Sequence, residues 1–146
     1  MTELLTAAEG RKVLTRDDAE SVGKVKTAVF DGRVQRIVSL HVSGAKRKAE
    51  LVGWDDVVGF GPDAVVIASA DRLREAHDDE SQAVRRKVNP LGARVIDDLG
   101  DQHGIVREVR FDPESGNVEA IVGDAGEWQP HEVHALGSFA LVVHHR

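Results

Sequence analysis

The sequence predicts an all-β protein built from two small β modules in tandem, and three observations support this fold class. The chain has 22 Val and 5 Ile against 10 Leu and 1 Met, and such a β-branched excess is typical of strands. Short segments alternate apolar and polar residues, as half-buried strands do. The same series of segments occurs twice, which predicts an internal duplication.

The first module reads as a small antiparallel sheet. Residues 11–14 begin it, and a long strand runs from Gly23 to Phe30 with Val25, Thr27 and Val29 in alternation. Asp31-Gly32 predicts a two-residue type I′ hairpin turn, because that turn needs positive φ. Residues 35–42 return, residues 49–52 pair back, residues 55–57 form one helical turn, and residues 65–67 are a buried strand. Closure into a barrel would remove the two exposed edges.

The second module repeats this order. Gly104 follows Gly23 by 81 residues, and Phe111 follows Phe30 by the same interval. Residues 114–117 predict an equivalent turn that is two residues longer. Residues 130–137 resemble residues 54–61, and an apolar run follows each, at 139–143 and 64–68. The glycines expected to serve as structural turns are Gly23, Gly32, Gly61, Gly104, Gly116 and Gly137.

The pattern divides the chain into a first module at residues 1–70, a charged and partly helical linker at residues 71–90, and a second module at residues 91–146. The linker contains good helix formers with few apolar positions. It is either solvated or docked on a module through Leu73, Ala76 and Val84. Each module has about 60 residues, a size at which an isolated core is marginal. We therefore expect the modules to pack face to face, or to exchange edge strands, through valine-rich surfaces that include parts of residues 64–68 and 139–143.

The matched segments resemble the PRC-barrel domain family. The resemblance rests on Gly10-Arg11-Lys12-Val13, on the glycine-led strand that ends at Phe30-Asp31, and on Val57-x-x-x-Gly61 before Val65-Val66-Ile67. It covers residues 10–70 and 91–144. This fold is known from the cytoplasmic part of the photosynthetic reaction-centre H subunit and from the C-terminal domain of a ribosome-maturation factor. The resemblance implies two PRC-type β-barrels in tandem, a binding or scaffolding role, and no shared catalytic residues.

Composition excludes several classes of function. The chain has no Cys, so it has no disulfides, iron–sulfur clusters, thiolate zinc sites or cysteine nucleophiles. The net charge of −6 gives no general attraction to nucleic acid or anionic lipid. No apolar run approaches the length that spans a bilayer, and the first residues do not resemble a signal peptide. We therefore expect a cytoplasmic protein without membrane insertion, and no cofactor.

The sequence favours a non-enzymatic adaptor that binds a protein partner, including a second copy of itself, and it identifies no small-molecule substrate. The alternative is an RNA-processing or ribosome-associated factor, which would use the basic residues Lys46, Arg47 and Lys48 together with residues 85–87. A third hypothesis is a metal-binding protein or enzyme that uses His131 and His134. The paired carboxylates and the serines form no catalytic motif, so we expect them in turns and helix caps.

The histidines and tryptophans are the remaining candidates. His131 and His134 have a spacing that suits metal ligands, but the first module has Asp55 and Val58 at the matched places. His144 and His145 are adjacent, and adjacent residues of a strand point to opposite faces. We therefore expect no metal site. Trp54 and Trp128 either fill the core or remain partly exposed as anchors for a partner.

Overall fold

A computed structural model describes residues 1–44, 49–85 and 88–146. The basic residues Lys46, Arg47 and Lys48, proposed above as contact residues, lie outside the described part of the chain, as do Arg86 and Lys87. Strands dominate what is described, as the excess of β-branched residues predicts.

The described residues form thirteen strands and two helices. The strands are β1 (Glu3–Leu4), β2 (Lys12–Thr15), β3 (Ser21–Phe30), β4 (Ile37–Ser43), β5 (Leu51–Gly53), β6 (Val57–Phe60), β7 (Ala64–Ile67), β8 (Arg94–Asp97), β9 (Gln102–Phe111), β10 (Val118–Gly123), β11 (Gly126–Trp128), β12 (Val133–Leu136) and β13 (Leu141–Val143). The helices are α1 (Leu5–Ala8) and α2 (Asp78–Arg85). Short 3-10 turns span Trp54–Asp56, Ala70–Arg72 and Pro130–Glu132.

The strands form two sheets with the same strand order. The first sheet runs β5-β4-β3-β2-β7-β6, and the second runs β11-β10-β9-β8-β13-β12. In each sheet one central pair is parallel, β2 with β7 and β8 with β13, while the other neighbours are antiparallel. Strand β1 adds to the second sheet through β9.

Neither sheet closes into a complete barrel within the described residues. The outermost strands of the first sheet are β5 and β6, and they are linked by the 3-10 turn Trp54–Asp56 rather than by a ladder of hydrogen bonds. The turn Pro130–Glu132 links β11 and β12 in the same way. The predicted closure is therefore replaced by a corner that joins the two edge strands.

The hairpin between β3 and β4 differs from the predicted two-residue turn. A positive φ occurs at Val34 (54°) and not at Gly32. The prediction of a type I′ turn at Asp31-Gly32 is therefore wrong. The loop instead forms around the Asp31 carboxylate, which accepts hydrogen bonds from the backbone N–H groups of Gln35 and Arg36. The loop between β9 and β10 has the same length, because residues 112 and 117 repeat the backbone hydrogen bond of residues 31 and 36. The predicted two-residue difference is also wrong.

Two of the predicted turn glycines lie inside strands. Gly23 in β3 has φ 146°, and a Cβ there would come 2.1 Å from the Ser43 carbonyl oxygen. Gly104 holds the corresponding place in β9. Both lie where the register with the preceding strand shifts, so they permit bulges rather than chain reversals. Gly61 and Gly137 do begin turns, with N–H groups bonded to the carbonyls of residues 64 and 140.

A pair of reciprocal backbone hydrogen bonds joins the two sheets. Ile37 N–H donates to the Gly116 carbonyl at 2.8 Å, and Val118 N–H donates to the Gln35 carbonyl at 2.9 Å. The two donor residues are 81 positions apart, and so are the two acceptor residues. This is also the interval between Gly23 and Gly104. A local two-fold rotation relates contacts of this kind.

Aromatic side chains continue the core across this junction. Trp54 and Phe60 from the first half pack on Phe111 from the second, with ring centroids 6.2 and 5.5 Å from that of Phe111. Buried residues of both halves form one hydrophobic cluster. The predicted exchange of edge strands does not occur at β7 and β13, because each lies inside its own sheet with a strand on both sides.

The segment that precedes each sheet in the chain packs on the other half of the molecule. Leu5 and Ala8 of α1 are buried where that helix contacts β9, and Thr6 bonds to the Glu108 carboxylate. Helix α2 lies in the linker and contacts β3 of the first sheet. The linker is thus docked, as one of the two alternatives predicts. No helix among the described residues is both long and apolar enough to cross a membrane.

Candidate functional site

The two tryptophans are core residues and not exposed anchors. Their exposed fractions are 5% for Trp54 and 3% for Trp128. Trp54 seals the junction between the halves, since its indole N–H donates to the Glu114 carbonyl at 3.3 Å. Trp128 packs beneath the His103 ring and the Arg146 guanidinium. A partner therefore cannot use either indole without unfolding part of the core.

A buried carboxylate anchors α2 on the first sheet. Glu80 is 3% exposed. The Ser39 hydroxyl of β4 donates a hydrogen bond of 2.8 Å to the Glu80 carboxylate. The Arg74 guanidinium makes two hydrogen bonds to the same carboxylate, at 2.6 and 2.8 Å. The N–H of His77 adds a fourth. A bidentate arginine pair of this kind fixes position as well as charge.

The chemistry of this anchor is structural. Hydrogen bonding from Arg74 lowers the pKa of Glu80 from 4.5 to about 2. A carboxylate with so low a pKa is a very weak base at neutral pH, and so it cannot take the proton of the Ser39 hydroxyl for nucleophilic attack. The Ser39–Glu80 contact therefore holds a helix rather than activating a serine.

A groove runs beside α2 where the two halves meet, with a volume of about 400 Å³. Val29, Phe30 and Val38 form its apolar floor on the first sheet. Leu136 and residues 137–138 close its far end from the second half, where the Leu136 N–H donates to the Gly32 carbonyl at 2.9 Å. The groove is thus complete only when the two sheets are joined.

The rim of this groove is acidic. Asp31 and Asp79 are acidic residues of its lining, whereas the buried Glu80 carboxylate is already paired with Arg74, and Gln82 and Ala83 of α2 also line the groove. Val38 is 37% exposed on the floor. The arrangement offers apolar contact at the base and negative charge at the edge, which are the two features that select an apolar side chain with basic neighbours.

The remaining carboxylate pairs serve the fold. Asp56 pairs with Arg72, and Asp17 with Arg16. Asp97 is 6% exposed and accepts bonds from His103 and from backbone N–H groups of residues 99 and 101, and hydrogen bonding led by His103 lowers its pKa. The Asp18 carboxylate accepts the hydroxyl of Thr15. Asp17 and Asp18 lie in a turn, as the sequence predicts, whereas Asp97 is the buried last residue of β8.

Three histidines gather around one aspartate. Asp98 Oδ2 lies 2.9 Å from His134 Nε2 and 3.2 Å from His144 Nδ1, and Asp98 Oδ1 lies 2.7 Å from His145 Nδ1. Hydrogen bonds from His145 and His134 hold the pKa of Asp98 well below its usual range. The side chains are 30–60% exposed. This cluster lies where β8 and β13 end and β12 begins.

One expectation about the histidines is wrong, and the alternative of a site at His131 and His134 finds no support. His144 and His145 do not point to opposite faces, because β13 ends at Val143 and strand alternation no longer applies beyond it. Their ring centroids are 4.5 Å apart. His131 does not join His134: it lies exposed in the 3-10 turn, whereas His134 is on β12. The spacing of three residues therefore gives no shared site for that pair.

The sequence predicts Asp98 and Glu80 only as acidic residues of a turn and of the linker, and it does not single out Val38. No local signal marks Asp98, since its role depends on the parallel pairing of β8 with β13. Glu80 is one of three consecutive acids, and only the fold distinguishes it. Val38 did carry a signal: it is apolar at an outward position of β4, beside the buried Ile37. Such a residue on a strand indicates a covered or contacting surface.

The comparison with protein families gives one result. The model of the PRC-barrel domain matches residues 3–73, which include all six strands of the first sheet. A comparison with curated proteins finds no match for the chain.

Proposed function

Since this chain belongs to the PRC-barrel domain family through residues 3–73, we propose that it is a tandem of two PRC-type β modules that acts as a non-enzymatic, protein-binding module. The identical strand order of the two sheets supports the tandem arrangement. The reciprocal bonds across the 81-residue interval support a duplicated unit with a two-fold relation.

The observation that carries the binding role is the groove beside α2. Its apolar floor includes the exposed Val38, and its end wall comes from Leu136 of the second half. Ligand grooves in proteins begin at about 300 Å³, and this one has about 400 Å³. A single apolar side chain of a protein segment fits this volume.

The partner we propose is a protein segment with one aliphatic or aromatic residue flanked by Lys or Arg. The apolar residue would contact Val29 and Val38, and the basic residues would face Asp31 and Asp79 on the rim. Complementary charge of this kind contributes specificity and a salt-dependent association rate. The net charge of −6 acts in the same direction.

A displayed peptide library selected on the full chain tests this proposal. We expect selected peptides to share an apolar residue with basic neighbours, and their binding to weaken as salt increases. Titration calorimetry should show at least about tenfold weaker binding to Val38→Asp, because the new carboxylate removes apolar contact and places a charge in the floor. The matched control is Val58→Asp, on β6 outside the groove, where the valine is 52% exposed.

Three outcomes would overturn the proposal. Selected peptides without basic residues would show that the acidic rim does not select the partner. Equal binding of the peptides by the Val38→Asp and Val58→Asp variants would show that the groove is not the binding site. Concentration-dependent self-association in light scattering that Val38→Asp abolishes would show a second copy of the chain as the occupant.

A further inference from the structure

The geometry points to a site for a divalent transition-metal ion, with zinc as the test ion, held by Asp98, His134 and His144 with His145 as a fourth ligand. This site is separate from the groove proposed above and does not depend on it. Imidazole with carboxylate is a ligand set suited to zinc, nickel, cobalt and copper.

Sheet topology brings these residues together from distant parts of the chain. Strand β13 is parallel to β8, so both strands end on the same side of the sheet. Asp98 and His144, which follow the two strands, therefore lie next to each other. Strand β12 is antiparallel to β13, and it begins on this side, where Val133 pairs with Val143. His134 is the second residue of β12. Three neighbouring strands therefore each deliver one ligand.

The backbone around the cluster is fixed by hydrogen bonds. Asp98 N–H donates to the Val143 carbonyl at 3.0 Å, and His144 N–H donates to the Glu132 carbonyl at 2.7 Å. His145 N–H donates to Asp98 Oδ1 at 3.1 Å. These bonds hold the start of each ligand side chain in place, which reduces the ordering that binding an ion requires.

The distances between ligand atoms match a coordination shell. One ligand atom each from Asp98, His134 and His144 lies within 4.8 Å of the others. In a tetrahedral shell with metal–ligand bonds of about 2.1 Å, neighbouring ligand atoms are about 3.4 Å apart. The two separations from Asp98 Oδ2 are 2.9 and 3.2 Å. The exposed imidazole rings of His134 and His144 leave an ion a path from solvent.

Titration of tag-free full-length protein with zinc sulfate, followed by calorimetry and by competition with a chromogenic zinc indicator, tests the site. We expect one zinc ion per chain. His134→Ala should weaken binding at least about tenfold, and the pair His134→Ala with His144→Ala should abolish it. The matched control is His131→Ala, which removes a histidine three residues from His134 that lies outside the cluster.

A second measurement separates a folded site from scattered surface histidines. Zinc at a hundredfold excess over its Kd should raise the Tm of the native protein by about 5–10 °C, because the ion binds only the folded arrangement. The Tm of the double variant should not change with zinc. Cobalt should give the visible absorption of a tetrahedral site in the native protein and in His131→Ala alone. No zinc binding below 100 μM, or equal binding by His134→Ala with circular dichroism unchanged, would overturn the proposal.

Discussion

Gly116 is the residue at which the junction between the halves is most sensitive to size. Its φ is 78°, and a Cβ there would lie 2.9 Å from the Trp54 indole. Alanine must therefore adopt a left-handed conformation and also displace a buried ring. We predict that Gly116→Ala lowers the free energy of unfolding by roughly 2–4 kcal/mol, the sum of a conformational and an overpacking cost. Urea denaturation measures it.

Alanine substitutions at two other glycines distinguish the conformational cost from the overpacking cost. Gly92 has φ 82° with no atom within 4 Å of an added Cβ, so Gly92→Ala should cost only about 1 kcal/mol. Gly32 has neither a positive φ nor a neighbour within 4 Å, and Gly32→Ala should be neutral within roughly 0.5 kcal/mol. If Gly116→Ala and Gly92→Ala lowered the free energy of unfolding equally, the Trp54 indole would impose no steric restriction at position 116.

Local chemistry predicted some of these positions and misplaced others. Glycines 104 and 116 do adopt positive φ. The Asp31-Gly32 pair suggested a turn because Asp-Gly is the strongest short hairpin signal. The longer loop exists because the Asp31 carboxylate captures two N–H groups beyond Gly32 and Val34 accepts the left-handed conformation. A competition of that kind is decided by tertiary contacts such as the complete burial of Val34.

Helix α2 depends on one buried carboxylate. We predict that Glu80→Gln destabilises the protein by about 2–3 kcal/mol at pH 7, because Arg74 then loses its ionised partner while the shape of the side chain is kept. Denaturant unfolding with circular dichroism detection measures the loss. The matched control is Glu75→Gln, an exposed acid three residues before α2, which should change stability by less than about 0.5 kcal/mol.

The pH dependence has a definite sign. The pKa of Glu80 is lowered in the folded state from 4.5 to about 2. Its contribution to stability is therefore complete above about pH 4.5, and it is lost as the pH falls toward 2. The Glu80→Gln variant should lose less stability over this interval than the native protein or Glu75→Gln. Parallel curves for all three proteins would contradict an ionised Glu80 in the folded state.

At the scale of elements, periodicity predicted the long strands well. The alternation of Val25, Thr27 and Val29 lies in β3, and residues 65–67 lie in β7. Strands β1 and β6 were missed. β1 has only two residues, and its partner lies more than a hundred residues away, so no local pattern predicts it. β6 follows a polar helical turn at once, and Gly59 interrupts its apolar pattern.

The whole chain should unfold as one unit, because buried residues of both halves form a single cluster. Each half contains one tryptophan, so single-tryptophan variants report on the halves separately. We predict that Trp128→Phe, which leaves Trp54, and Trp54→Phe, which leaves Trp128, each show a fluorescence transition that coincides with the circular dichroism transition of the same protein.

Phe111→Ala adds a test of coupling. It removes the ring on which Trp54 and Phe60 pack, at a cost of about 3–5 kcal/mol. Introduced into both single-tryptophan backgrounds, it should lower both transitions together. A shift confined to the Trp128 signal, with Trp54 unaffected, would show that the halves unfold independently.

The sequence predicted the order of the strands better than their assembly. Repeated spacing indicates an equivalent order because each segment carries its own periodicity. The contacts between halves could not be predicted in the same way, because they include hydrogen bonds between the loops around residues 31–36 and 112–117, and no local pattern shows which loops meet. The histidine cluster was hidden for a related reason, since it depends on which strands are neighbours.

The pairing of β1 with β9 has a consequence for synthesis of the protein. Glu3 pairs with Phe111, so residues 3–4 find their partner only after about a hundred more residues have been added. At about 5–20 residues per second, this delay is on the order of 5–20 s. Strands β2–β7 are complete well before then, whereas Leu5 and Ala8 still lack the surface that buries them. The nascent chain therefore passes through a stage in which the apolar side chains of Leu5 and Ala8 are exposed because the sheet that buries them has not yet been translated.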